Sequence, residues 1–268
     1  MYLFYVYGAG FGHINRVLNF IYTQEIPLED CVLVTNSVFH DQVPKNIKTL
    51  YKEDAFFKDQ VHFNRFLLNC IKEHKINTLV VDVFPAGFYG ELEKSFSDLH
   101  FVKTVLLGRI LNKAYFEKYT CPDYDIIYTL ENGITLINYR YKKVISFSLQ
   151  IKPREILNEL ALEKPYFLVM HSSPLEEVLL LYKQALLYRT DEHIYICSFS
   201  EIPTHLIREN TSSSKGTRIE DEVLENATKI FTGCGFNSII ETKSYRDKQH
   251  ILPFKRRYDD QFLRKQLL

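Results

Sequence analysis

The chain of 268 residues contains no tryptophan and only two methionines, so its aromatic content rests on 18 tyrosines and 20 phenylalanines. Nothing mechanistic follows from that choice of rings. Net charge is also missing. Thirty-three basic residues balance 33 acidic ones, and composition therefore gives no reason to expect nucleic acid or a strongly acidic partner. The five cysteines, Cys31, Cys70, Cys121, Cys197 and Cys234, are odd in number and form no CxxC. That argues against a disulfide framework or a zinc site and for a reducing compartment. No apolar run approaches the length of a membrane-spanning helix. The opening MYLFYVYGAG is apolar but short, with neither a basic leader nor a small-residue cleavage site. The expectation is a cytoplasmic, soluble protein without a transmembrane segment. Peripheral contact with a membrane stays open.

What is present is a globular composition, 46% hydrophobic, at a length that accommodates two domains with a core each. Apolar strands alternate with helical stretches, which predicts an α/β architecture. Residues 2–7 form a continuous apolar run ending in glycine, the pattern of a buried parallel strand. Gly8, Gly10, Gly12 and His13 follow, and then Ile14, Val17, Leu18 and Ile21 recur at helical spacing. This strand, glycine loop and helix invite the dinucleotide-binding fingerprint and fail it. The sixth place holds His13, and the next strand runs into Thr35-Asn36-Ser37 where an acid is required. An NAD enzyme is disfavoured.

A second strand-turn-helix lies near the end of the chain. A short apolar strand, 229–232, runs into Gly233-Cys234-Gly235, and a helix opens at Phe236-Asn237-Ser238. Backbone N–H groups at such a helix start form an anion site, with phosphate as the natural guest. Cys234 reads as a small space-filler. Glu241 falls about one and a half turns into the helix, where a carboxylate can accept from the vicinal hydroxyls of a ribose. A further strand, 249–254, leads through Lys255-Arg256-Arg257 to Asp259-Asp260-Gln261 on a terminal helix.

The run TGCGFNSIIE, followed by LPF and DDQ, resembles the donor-binding segment of nucleotide-sugar glycosyltransferases of the GT-B fold. The likeness is to the MurG-like enzymes and the predicted glycosyltransferases related to glycosyltransferase family 28. It implies two Rossmann-like domains facing across a cleft, an acceptor-side domain over 1–150 and a nucleotide-sugar domain over 151–268. It also implies that Gly235, Asn237 and Ser238, with Gly233 in the same turn, hold the diphosphate. Glu241 would hold the ribose, and Asp260 with Gln261 would meet the sugar. The pattern GxGxGHxxR, here Gly8, Gly10, Gly12, His13 and Arg16, resembles the first, phosphate-type loop of the same group. There the histidine is an acid/base candidate, because an imidazole near neutral pKa can take a proton from an acceptor hydroxyl. A histidine that caps the helix or braces the loop is the alternative. DVFPAGxxxEL, from Asp82 to Leu92, is a second match. Asp82 would orient His13 or contact acceptor, or else serve as a turn carboxylate. Relatives carry an Arg-Asp pair where this chain has Arg109 without the acid.

The remaining stretches are read in order. Residues 37–55 look like an irregular connection, 56–75 like one helix, and a helix containing Glu91 is expected after Pro85-Ala86-Gly87. Asp123-Tyr124-Asp125 is formally a DxD, but its setting points to a strand start. No metal is expected, since basic groups and a helix start can neutralise a diphosphate. A basic stretch leads to a domain boundary near 150, by Lys152-Pro153-Arg154. The loop His171-Ser172-Ser173-Pro174 opens a helix over 175–188 that Ser172 or Ser173 would cap. The resemblance brings both serines near the donor phosphates. Residues 201–217, with TSSSKG, have the composition of a mobile loop.

The resemblance thus implies transfer of a sugar from a uridine-linked diphosphate donor to an acceptor hydroxyl, on a glycan or a lipid-linked molecule. His13 would be the base and the course inverting, and no cofactor is needed because the nucleotide-sugar is itself a substrate. The chain departs from the family at Lys248-Gln249-His250 and at Phe262-Leu263-Arg264-Lys265. A nucleotide-sugar epimerase of the same fold and a non-catalytic nucleotide-sugar-binding protein are the alternatives.

Overall fold

The computed structural model describes residues 1–8, 10–151, 162, 165–216 and 219–268. Lys152, Pro153 and Arg154, expected by the domain junction, and Thr217, at the end of the expected mobile loop, lie outside them. The chain divides into two compact units. One takes Met1–Lys152, Arg257–Asp260 and Leu267, and the other takes Pro153–Arg256, Gln261–Gln266 and Leu268.

The first unit is built on seven strands, β1 (Tyr2–Val6), β2 (Cys31–Thr35), β3 (Lys48–Tyr51), β4 (Thr78–Asp82), β5 (Lys103–Gly108), β6 (Asp123–Thr129) and β7 (Arg140–Ser146). All pair in parallel, in the order β3-β2-β1-β4-β5-β6-β7. Its helices are α1 (Phe11–Thr23), α2 (Asp54–Lys58), α3 (Gln60–Glu73) and α4 (Lys113–Lys118). Strands β1 and β4 lie side by side at the centre, and every residue of β4 is buried. Such strands read as unbroken apolar runs because both of their faces are covered. The order turns at β1, which has β2 on one side and β4 on the other. The loops leaving the carboxyl ends of β1 and β4 therefore part at a switch point, where open α/β sheets place their ligands.

The second unit repeats the plan with β8 (Tyr166–Met170), β9 (His193–Ser198), β10 (Thr211–Lys215), β11 (Lys229–Gly233) and β12 (Gln249–Leu252). These are again parallel, in the order β10-β9-β8-β11-β12. Helices α5 (Leu175–Tyr188), α6 (Asp221–Asn226), α7 (Phe236–Glu241) and α8 (Gln261–Gln266) complete it. Its switch point falls between β8 and β11. Both units are Rossmann-like.

Several local expectations change. Residues 37–55 contain the edge strand β3, and the serine-rich stretch expected as a mobile loop contains the edge strand β10, paired to β9 from Thr211 to Lys215. The helix expected from residue 56 is two, divided at Asp59, whose side chain accepts from the His62 N–H at 3.0 Å and caps α3. Helix α5 starts after Pro174 with no side-chain cap, so neither Ser172 nor Ser173 serves it. Instead the Ser172 carbonyl accepts from Ser198 Oγ and the Phe199 N–H, both at 3.1 Å. The helix expected around Glu91 is replaced by turns and a 3-10 segment, Ser95–Asp98. Gly87 and Gly90 both stand at φ +83°, outside helical space. Glu91 itself is buried and accepts from the Tyr5 hydroxyl and, at 2.8 Å, from the Tyr89 N–H.

Burial raises the Glu91 carboxyl to about 7, against the lowering effect of those hydrogen bonds, from an ordinary value of 4.5. The folded chain thus holds this proton more tightly than the unfolded chain does. The stabilisation is full below about pH 4.5 and is lost as pH rises through about 7, a loss of about 3 kcal/mol in all. Denaturant melts of the protein and of Glu91→Gln at pH 5 and pH 8 should show the native chain losing stability relative to the variant over that interval. A constant difference would show that Glu91 does not titrate there.

Candidate active site

The most concentrated chemistry lies at the switch point of the first unit. Helix α1 follows the glycine loop after β1 and carries His13 and Arg16 one turn apart, on the same face. Asp82 is the last residue of β4, and β1–β4 pairing runs up to Tyr5 opposite Val81. Adjacent strands thus bring together residues 69 positions apart. His13 Nδ1 is 2.6 Å from Asp82 Oδ2, Arg16 Nε is 2.6 Å from Asp82 Oδ1, and Arg16 Nη2 is 2.7 Å from Asp82 Oδ2. Arg16 Nη2 also comes within 3.0 Å of His13 Nδ1. Side-chain exposure is 22% for His13, 2% for Arg16 and 0% for Asp82. Arg16 is thus turned inward onto Asp82, and only the imidazole of the three faces solvent.

A carboxylate at this distance from Nδ1 selects the tautomer with the proton on Nδ1, leaving the lone pair on Nε2. Burial lowers the His13 pKa, the hydrogen bond and charge of Asp82 oppose this, and the positive charges of Arg16 and Arg109 lower it further. Burial by itself would raise the Asp82 carboxyl, but the charge of Arg16 and the bond from His13 outweigh it and hold it at about 2. The result at neutral pH is a neutral imidazole beside an ionised carboxylate. This is a group able to take a proton on Nε2.

Gly8 makes room for that ring. A β-carbon at Gly8 would fall 2.3 Å from His13 Cδ2, whereas one at Gly10 would meet nothing within 4 Å. The Gly8 N–H is tied to Asn36 Oδ1 at 2.8 Å, so the backbone is not loose enough to move aside. Gly8→Ala is expected to push the imidazole off Asp82 and to destabilise the fold by about 1–3 kcal/mol. Gly10→Ser, at the N-cap of α1, should be neutral or slightly stabilising because a serine there can cap the helix. Thermal melts of the two variants test this, and equal losses would contradict it. Gly12 lies in the first turn of α1.

The ring of His13 stacks on Phe84, with centroids 5.8 Å apart. Beyond it, at the carboxyl end of β5, Arg109 is buried and is met by Asp259 at 2.8 Å and Glu131 at 3.6 Å. The acid missing beside Arg109 in the sequence is thus supplied by the first residue of the DDQ run, 150 positions away. Asp125, of the formal DxD, is taken up by the Thr104 N–H at 2.8 Å and Lys142 at 2.7 Å.

In the second unit, Gly233 ends β11, Gly235 is the N-cap of α7, and Asn237, Ser238 and Glu241 lie on that helix. Helix α7 is only six residues long and has no side-chain cap. Ser172 and Ser173 follow β8, which pairs β11 up to Met170 opposite Thr232, so these loops leave neighbouring strand ends. Sequence reading gave no role to His171, which is buried, donates from Nε2 to Glu177 Oε2 at 2.7 Å, and packs against Gly233. Arg256 closes on the same Glu177 with both terminal nitrogens at 2.5 Å. No motif signals this cluster in the sequence. Asp260 and Gln261, read as a pair, part company: Asp260 falls in the first unit and Gln261 in the second. Gln261 is buried, and its Oε1 accepts from the Phe254 N–H at 3.0 Å.

No protein-family model matches the sequence, and no curated protein matches it. Solved structures do. A glycotransferase of kitacinnamycin superposes with TM-score 0.63 at 13% identity, over 95% of this chain and 81% of its own. Spinosyn rhamnosyltransferase SpnG, complexed with thymidine diphosphate, gives 0.58 at 10% identity, over 95% and 81%. Acinetobacter baumannii MurG gives 0.56 at 12%, over 100% and 82%. A UDP-GlcNAc 2-epimerase from Methanocaldococcus jannaschii also matches, at 0.53 and 11%, over 99% and 91%. Among the described residues no helix is long and apolar enough to cross a membrane. The chain has the two-unit, Rossmann-like fold of the GT-B glycosyltransferases, MurG among them.

Proposed function

We propose that the protein is a glycosyltransferase that moves a sugar from a nucleotide diphosphate donor, uridine-linked, to an acceptor hydroxyl. The observation that carries this reading is His13 at the first switch point, a neutral imidazole with Nδ1 held by Asp82 and Nε2 left as its proton acceptor. In the proposed step the acceptor oxygen forms a bond to the anomeric carbon and its proton passes to Nε2. The bond from that carbon to the diphosphate breaks, and the nucleoside diphosphate leaves with the electron pair. A single displacement of this kind inverts the anomeric centre.

Gly233, Gly235, Asn237 and Ser238 are the residues proposed to receive the diphosphate, with Ser172 and Ser173 from the neighbouring loop. Glu241 takes the ribose hydroxyls, and Asp260 and Gln261 serve the sugar. The burial of Gln261 weighs against direct contact through its side-chain oxygen. The short α7 gives this site less helix dipole than a longer helix would, so backbone N–H groups carry most of the anion binding. The donor is a substrate, and the reading requires neither metal nor cofactor.

Similarity to an epimerase structure supports a second reading. Incubation with UDP- and thymidine-diphosphate-sugars, with and without a panel of glycans and lipid-linked acceptors, separates the two. A transferase yields nucleoside diphosphate in step with a glycosylated acceptor. Conversion of the sugar nucleotide without acceptor would favour the epimerase, and no turnover of any sugar nucleotide would contradict both.

A further inference from the structure

We propose that Arg16 is a positioning residue for the base. By taking up the charge of Asp82 it keeps His13 a neutral imidazole with its proton on Nδ1, and it leaves the cationic form without a counter-charge of its own. The catalytic meaning of this rests on the transferase reading, but the charge arrangement does not.

The geometry decides how the one buried carboxylate is shared. Arg16 grips Asp82 with a two-pronged fork, Nε on Oδ1 at 2.6 Å and Nη2 on Oδ2 at 2.7 Å, the strongest form of such a pair. Both partners are buried, so neither charge is dissipated by water and they cancel one another. His13 Nδ1 shares Oδ2 with the guanidinium at 2.6 Å. In a histidine–carboxylate pair standing alone, the carboxylate charge would balance an imidazolium. Here it is already spent.

A proton arriving on Nε2 therefore leaves the cluster with one uncompensated positive charge, with Arg16 Nη2 only 3.0 Å from Nδ1. Arg109, at the end of β5, is a further cationic group that lowers the His13 pKa, although the two carboxylates that meet it, Asp259 and Glu131, outnumber its charge by one. Asp82 faces the ring from β4 and Arg16 from α1, and Phe84 stacks on it without charge. His13 is thus a base whose cationic form is disfavoured, with a pKa lowered by burial and by the neighbouring guanidinium charges against the pull of Asp82.

The test is a pH titration of the imidazole nitrogens by nitrogen-15 NMR on the full chain, with His13 assigned from the signal lost in His13→Gln. The native protein should show the Nδ1-protonated tautomer and a midpoint below the ordinary imidazole value of about 6.5. In Arg16→Gln the carboxylate is released to stabilise the imidazolium, and the midpoint should rise by roughly one to three units. Arg16→Lys, which restores the charge, should bring it back toward the native value. An Arg16 that served packing alone would lower stability in Arg16→Gln without raising the midpoint, and that result would overturn the proposal. So would a native His13 that titrates at or above the ordinary value, a result available even if the glutamine variant does not fold. Neither measurement uses donor or acceptor, so loss of the transferase reading would leave both outcomes intact.

Discussion

His13→Ala is expected to reduce sugar transfer by about 10²- to 10⁴-fold while leaving affinity for a nucleoside diphosphate nearly unchanged. The asymmetry follows from where the residue sits. His13 stands in the first turn of α1 in the first unit, whereas the residues proposed to hold the diphosphate lie after β8, at the end of β11 and at the start of α7 in the second. Removing the imidazole takes away the proton acceptor but none of the proposed diphosphate contacts. Transfer by the native protein should need the neutral imidazole, so activity falls as pH drops through the His13 pKa. Because burial lowers that pKa, the acid limb of the rate profile should lie below the ordinary histidine range. Steady-state rates and calorimetric affinities on the variant check both statements. Equal loss of rate and affinity would contradict the assignment of His13 as base.

Asp82→Ala should have the largest effect on stability, about 3–5 kcal/mol, because it strands the buried guanidinium of Arg16 without a counter-charge. The pair itself contributes less than this figure, since taking two charges out of water is costly and the cost arises when one partner is left alone. Adding Arg16→Met to Asp82→Ala should therefore recover most of the loss. Failure of the double variant to recover would mean that Asp82 stabilises the fold by some route other than Arg16. The acid limit has a definite sign. The Asp82 carboxyl is held at about 2 in the fold against an ordinary 3.8. Its contribution is full above the ordinary value and is lost as pH falls through about 2. Urea melts of native, single and double variants supply the comparison.

Central strands of both sheets were legible because burial on two faces leaves a continuous apolar run, as in β1 and β11. The edges were not. Lys48-Thr49-Leu50-Tyr51 and Thr211-Ser212-Ser213-Ser214-Lys215 carry no such run, and they are strands because β2 and β9 offer them a ladder to complete. The segment around Glu91 has helical apolar spacing, but its carboxylate turns inward to Tyr5 and two glycines take left-handed angles.

The candidate site divides in the same way. Gly8, His13 and Asp82 stand out through glycine spacing and strand ends, which are local features. That Arg16 turns onto Asp82, that Asp259 answers Arg109 and that His171 meets Glu177 are tertiary facts over 66, 150 and 6 residues. Even the last, one loop and a turn of helix apart, has no spacing pattern in the sequence that sets it off from an ordinary helix start.

The most direct measurement is calorimetric titration of the full chain with UDP and with thymidine diphosphate, repeated on Glu241→Ala. The transferase reading predicts saturable binding of one nucleoside diphosphate, weakened about tenfold or more by the substitution, since a carboxylate accepting from ribose hydroxyls makes charge-assisted bonds. No binding of either nucleotide would make the Gly233–Gly235 turn and Glu241 structural features and would contradict the proposed function.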